Sequence, residues 1–165
     1  MRCRIPRVEV LGGKTLGTNA FYECSTLKEV VLPDGLETLG VRAFFGCTSL
    51  WSVRLPDTVT AIRESAFAGC DALLEIDLGG ALSSMGINAF LNCDSLREVV
   101  LPASLKTLPA SAFAGCSSLA TVELGGVRTV GAQAFRGCSS LVEARTQNTV
   151  EIGEGNDDLK RLLEE

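Results

Sequence analysis

Apolar residues along this chain follow neither a plain helical nor a plain alternating period; they recur in blocks that repeat as wholes. Six times Ala-Phe is followed by two variable residues, Cys, two more and Leu, starting at Ala20, Ala43, Ala66, Ala89, Ala112 and Ala134. The spacing is 23 residues four times and then 22. Self-similarity at that period marks a solenoid, in which each unit buries its apolar face only against its neighbours. Each block also carries a triplet with strand character: Leu27/Val30/Leu32, Leu50/Val53/Leu55, Leu73/Ile76/Leu78, Leu96/Val99/Leu101 and Leu119/Val122/Leu124. One strand per repeat is predicted. Because side chains alternate across a strand, the second and third members point into the core, and the residues between and just before them face solvent.

Pro33, Pro56, Gly79, Pro102 and Gly125 follow the strands. Proline removes a ladder donor and glycine allows positive φ, so both end a strand and turn the chain. The Ala-Phe-x-x-Cys segment then lies opposite the strand, where its spacing suits a short helical or 3₁₀ turn. Phe21, Phe44, Phe67, Phe90, Phe113 and Phe135 are expected to stack as one buried column. Ile5, Val8 and Val10 keep strand offsets without an Ala-Phe-x-x-Cys of their own, so residues 5–19 read as a partial first repeat, ahead of repeats over 20–141. Residues 142–165 read as a C-terminal cap, with Asn156-Asp157-Asp158 starting an amphipathic helix that carries Leu159, Leu162 and Leu163. That helix is expected to cover the last core, the alternative being that it docks on another subunit.

The units resemble those of the BspA-like leucine-rich repeat family, whose A-F-x-x-C-x-S-L-x-x-V-x-L-P pattern is legible from Ala43-Phe44 through Cys47, Ser49-Leu50, Val53 and Leu55-Pro56. The likeness runs from about Ile5 to Leu141. It departs where Leu78 and Leu124 are followed by glycine, and where the sixth unit loses its strand leucines. The resemblance implies an α/β repeat solenoid: a right-handed leucine-rich-repeat superhelix with a concave parallel sheet, about six repeats of 22–23 residues and terminal caps. It also implies a role as a surface adhesin or as an intracellular interaction module, and it carries no particular ligand.

Composition fits one folded domain over 1–165: 46% of the residues are hydrophobic, and no apolar run approaches the ~18 residues of a membrane helix. Cys24, Cys47, Cys70, Cys93, Cys116 and Cys138 share one repeat position and should form an in-register ladder of thiols acting as small hydrophobes. Parallel side chains keep neighbouring Cβ atoms farther apart than a relaxed disulfide prefers, and a linear ladder without His does not converge on a metal. Cys3 lies out of register and reads as the exposed, reactive thiol. Thiols of this kind, with no apolar leader core behind Met1 and Arg2 and no Asn-x-Ser/Thr sequon, favour the cytoplasm or an organelle interior. The cell surface is the alternative that the resemblance supplies.

Catalytic chemistry finds little to work with. There is no His, only four lysines are present, and Gly12-Gly13-Lys14-Thr15 fails as a phosphate loop because Val8 stands where the motif requires glycine. No catalytic residue, cofactor or metal is expected. The outward strand positions hold seven acids (Glu9, Glu29, Glu75, Asp77, Glu98, Glu123, Glu143) against Arg7, Arg54 and Arg145. Such an excess on neighbouring strands calls for a basic protein or peptide partner and repels nucleic acid. Trp51 and Leu74, at equivalent positions beside Arg54, supply apolar anchors. The predicted partner-binding set is therefore Glu29, Trp51, Arg54, Leu74, Glu75, Asp77, Glu98 and Glu123. The function expected is a non-catalytic interaction or scaffold module. The alternatives are an adhesin, or a structural subunit held through Trp51, the convex pair Tyr22 and Phe45, or the terminal helix.

Overall fold

The computed structural model describes residues 3–164; Met1 and Arg2, weighed as part of a leader, and Glu165 lie outside the described residues. The strand halves of the repeats form one side of a parallel-sheet solenoid. Strands β1 (Arg7–Glu9), β3 (Glu29–Val31), β5 (Ser52–Arg54) and β7 (Glu75–Asp77) pair in that order, and β9 (Glu98–Val100), β11 (Thr121–Glu123) and β13 (Glu143–Arg145) carry the face onward. Val30, Val53, Val99 and Val122 point inward and are buried, with their chain neighbours outward, as the alternation requires.

Each repeat contains a second strand that the sequence pattern does not announce. β2 (Thr15–Leu16), β4 (Thr38–Leu39), β6 (Ala61–Ile62) and β8 (Ser84–Met85) form one parallel ladder, and β10 (Thr107–Leu108), β12 (Thr129–Val130) and β14 (Glu151–Ile152) another. Two residues are too few to show a period. Stacking at a fixed repeat nevertheless brings their N–H and C=O groups opposite identical partners, which pairs them.

The Ala-Phe-x-x-Cys segments are successive tight turns instead of the expected helical or 3₁₀ turn. Hydrogen bonds alternate between local and inter-repeat partners: Phe44 N–H donates to Ala66 O and Gly46 N–H to Ala68 O, while Phe45 N–H donates to Arg42 O and Cys47 N–H to Phe44 O. A helix would spend every donor within its own segment and leave the neighbouring repeats unbound on this side. The alternation needs left-handed backbone before each Ala and before each Cys, as at Arg42 (φ 55°) and Gly46 (φ 68°).

Inside, the six phenylalanines form the expected column, with ring centres 5.1 to 5.6 Å apart and planes within 12° of parallel. The cysteine ladder runs beside it. The thiol of Cys47 donates to Phe21 O at 3.1 Å, and those of Cys70, Cys93, Cys116 and Cys138 donate to Phe44, Phe67, Phe90 and Phe113 O at 3.2 Å. Each cysteine thus reads the phenylalanine one unit behind it, and these five are free and buried.

Cys24 has no earlier phenylalanine to bind, and here the expectation of thiols is corrected. Cys24 is joined by a disulfide to Cys3, their Cα atoms 4.9 Å apart. The spacing that keeps ladder cysteines apart does not apply, because Cys3 approaches from outside the ladder. Thr26 Oγ1 also donates to Cys3 O, so the bond ties the N-terminal segment over the first turn. The exposed reactive thiol expected at Cys3 is therefore absent, and so is the odd cysteine on which the choice of a reducing compartment partly rested.

At the other end α1 (Asp157–Glu164) packs on β13 and fully buries Leu159. Asn156, nearly buried, precedes it; its Oδ1 accepts from Phe135 N–H, and its Nδ2 donates to Gly131 O and Gly153 O. Asp157 and Asp158 in the first turn suit the positive end of the helix dipole. Both ladders are interrupted at one junction, between β7 and β9 and between β8 and β10. The turn side runs through it, with Phe67 N–H on Ala89 O at 2.8 Å.

Candidate interaction surface

The outward residues of the first sheet form two rows set by the parallel register. Arg7, Glu29, Ser52 and Glu75 lie in one row, and after the junction Glu98, Thr121 and Glu143 continue it. The other row holds Glu9, Val31, Arg54 and Asp77, then Val100, Glu123 and Arg145.

The excess of acid is smaller in effect than the count suggests, because each arginine of the rows is paired. Arg7 Nε lies 3.5 Å from Glu29, Arg54 Nε 3.5 Å from Asp77, and Arg145 Nη1 3.2 Å from Glu123. Arg145 Nε also donates to Glu143 at 2.8 Å. The hydrogen bond and charge of Glu143, with Glu123 behind them, hold the Arg145 guanidinium above its ordinary value. Among the described residues Glu9, Glu75 and Glu98 have no such partner.

Two of those three meet at the junction where the ladders are interrupted. Glu75 and Glu98 line a cleft of about 410 Å³ together with Leu74, Ile76, Arg97 and Val100. Trp51 borders Leu74, whose N–H donates to Trp51 O at 2.9 Å, and the two side chains are 45% and 38% exposed. A second like-charged pair sits at the same junction, where partial burial, and then the charge of Asp94, raise the carboxyl of Asp71 above its usual range. Like charges in register weaken the attraction between neighbouring strands.

The eight predicted residues therefore fall into local groups. Leu74, Glu75 and Glu98 share the cleft, with Trp51 on its border. Arg54 lines a separate, larger depression of about 520 Å³ with Val31, Asp34, Pro56 and Asp57, and Asp77 is the partner of that arginine. Glu29 is held by Arg7 near the N-terminal end. Glu123 sits with Arg145 beside Gly125 and Thr146 in a third depression, of about 310 Å³. Arg97 was missed, although it stands at the repeat position of Trp51 and Leu74. On the convex side Tyr22 and Phe45 stack at 5.2 Å, with the Arg42 guanidinium 6.0 Å from the Phe45 ring centre.

Among the described residues no group of three or more His, Cys, Asp or Glu side chains is placed to hold a metal ion, and no helix is long and apolar enough to cross a membrane.

Six copies of the BspA type leucine rich repeat region match residues 14–154. No curated protein matches the chain significantly. Among solved structures, the leucine-rich repeat protein of T. pallidum, TpLRR, is 35% identical, superposes with a TM-score of 0.90, and is matched over 96% of this chain and 82% of its own. A leucine-rich repeat protein from Eubacterium ventriosum is 23% identical with a TM-score of 0.66, over 82% of this chain and 33% of its own. One from Bacteroides ovatus is 24% identical with a TM-score of 0.55, over 94% and 60%. The last two share the fold alone.

Proposed function

The chain belongs to the BspA-type leucine-rich repeat family, whose solenoid is generally a non-enzymatic interaction or scaffold fold, and from that premise we propose that it binds a basic protein or peptide segment on its concave face. The observation that carries this reading is the junction cleft. Glu75 and Glu98 stand there outside salt-bridge distance of any cation among the described residues, Arg97 on the cleft wall included, while Arg7, Arg54 and Arg145 are engaged. A lysine or arginine entering between them would relieve their repulsion, and its aliphatic stem would rest on Leu74 and Trp51. Arg97 on the cleft wall limits the site to a narrow cationic group and disfavours a broad basic surface.

The test is fluorescence anisotropy of a labelled Lys/Arg-rich peptide, run with the parent chain and with Glu75→Lys/Glu98→Lys. The reading expects salt-sensitive binding by the parent, loss of binding in the variant, and weakening by Trp51→Ala. Equal binding by parent and variant would remove the concave face from consideration.

A second reading, an extracellular adhesin, is favoured by the Cys3–Cys24 disulfide, since such bonds persist in oxidising compartments. Alkylation of the protein as isolated from its source tests this. Cys3 and Cys24 labelled without a reductant would count against it.

A further inference from the structure

The N-terminal end of the first sheet is an open edge. Among the described residues β1 has a neighbour only in β3. Toward β3, Pro6 O accepts from Lys28 and Glu29, and Val10 N–H donates to Val31 O; the Arg7↔Glu29 and Glu9↔Val31 register turns the polar groups of Val8 the same way. Successive residues of a strand aim their N–H and C=O to opposite sides, so those of Arg7 and Glu9 face outward, and no described residue bonds them. The core beneath is only partly sealed: Val8, Val10 and Phe21 are half-covered, whereas Val53, Val99 and Val122 are buried. Leu11, 90% exposed, is the most exposed large apolar residue described, and Ile5 is 51% exposed. The C-terminal end, by contrast, is closed by α1.

We propose that this edge pairs antiparallel with the β1 edge of a second copy of the chain, across a two-fold axis at Val8. The segment is complementary to itself in that one register. With Val8 opposite Val8 of the second copy, Arg7 faces Glu9 and Glu9 faces Arg7, and both pairs fall at the positions that exchange N–H···O bonds. Ile5 then faces Leu11 on each side of the axis, which covers the two exposed apolar side chains. A slip that moves the axis to Glu9 sets Glu9 against Glu9, and a slip to Arg7 sets Arg7 against Arg7, so charge selects the central register. Charges on an edge strand usually discourage pairing. Here their alternating order favours one partner, the same edge inverted. Closure by a two-fold axis ends the assembly at two copies. The disulfide contributes by fixing the chain that leads into β1.

Sedimentation velocity on the oxidised full chain, from micromolar to near-millimolar concentration, tests the proposal. The parent is expected to show a monomer–dimer equilibrium. Glu9→Arg gives the edge two cations and Arg7→Glu gives it two anions, so each variant alone should dimerise at least about tenfold more weakly. Mixed in equal amounts the two variants should dimerise again, a recovery that a merely damaged fold would not give. Leu11→Asp, at a site exposed in the monomer, should also weaken the dimer, and Glu75→Lys/Glu98→Lys should leave it unchanged, which separates this inference from the concave-face reading. A parent that stays monomeric, single variants that dimerise like the parent, or a mixture that stays monomeric would overturn it.

Discussion

Asn156 Oδ1 accepts the main-chain N–H of Phe135 at 2.9 Å, the role that Ala134 O plays for Phe113 one repeat earlier. The side-chain amide completes the stack where the next repeat is missing. Asn156→Ala leaves that buried donor unsatisfied, and the Gly131 and Gly153 carbonyls lose a partner. An unsatisfied buried group costs about 1–3 kcal/mol, so the urea midpoint of Asn156→Ala should fall accordingly, with an unchanged m-value.

The ladder thiols predict a fall in stability at alkaline pH. Burial pushes Cys47 and Cys138 from 9.0 up to about 12, and raises Cys70 and Cys93 as well. Cys116 is raised first by its contact with Cys93 and then by burial. Folded-state values above the unfolded ones mean that the unfolded chain releases protons first. The stabilisation is complete below the unfolded thiol value and is lost as pH rises toward about 12 for Cys47 and Cys138. Each such thiol contributes about 1.4 kcal/mol per pH unit inside that window. Urea titrations at increasing pH should show the decline, and Cys47→Ala/Cys138→Ala should flatten its slope.

Thiol counting separates the two cysteine classes. Unfolded in denaturant without reductant, the chain should expose five reactive thiols, the free cysteines 47, 70, 93, 116 and 138. Reductant should release two more, and loss of a bridge spanning 21 residues should lower stability by about 3 kcal/mol in the chain-entropy account. The midpoint of unfolding with and without dithiothreitol measures this.

Glu23 adopts φ 53° at a repeat position where Gly46, Gly69, Gly115 and Gly137 stand in other units. Relief of the left-handed strain outweighs the entropy that glycine loses. Glu23→Gly should therefore stabilise the protein by about 0.5–1 kcal/mol, read as a rise in the thermal midpoint.

What could be read beforehand follows from how the signal is distributed. The phenylalanine column and the inward valines were legible because six copies average away local noise. The β2-type strands were not, since Thr38-Leu39 alone carries no period. Ala, Phe and Cys at their spacing fit a helical turn as well as a run of β-turns; the recurring glycine before Cys was the available sign of positive φ. Cys3 escaped because its partner is set by the path of the chain end, outside the repeat logic. On the concave face, sequence placed the acids on the right side of the strand but could not say which of them an arginine holds. That pairing separates Glu75 and Glu98 from Glu29, Asp77 and Glu123.

Each phenylalanine but the last is held twice by the following unit, its N–H by that unit's alanine and its carbonyl by that unit's cysteine. Every interior turn thus presents an identical plug behind and an identical socket ahead. The length of the molecule is consequently quantised. Excising one 23-residue increment from the interior, such as 66–88, would let Phe44 meet Ala89 as it now meets Ala66, and the single 22-residue interval, from Ala112 to Ala134, shows where a residue can be spared: Phe113 N–H still meets Ala134 O, so the difference is absorbed in the connection and the bonded turns are left intact.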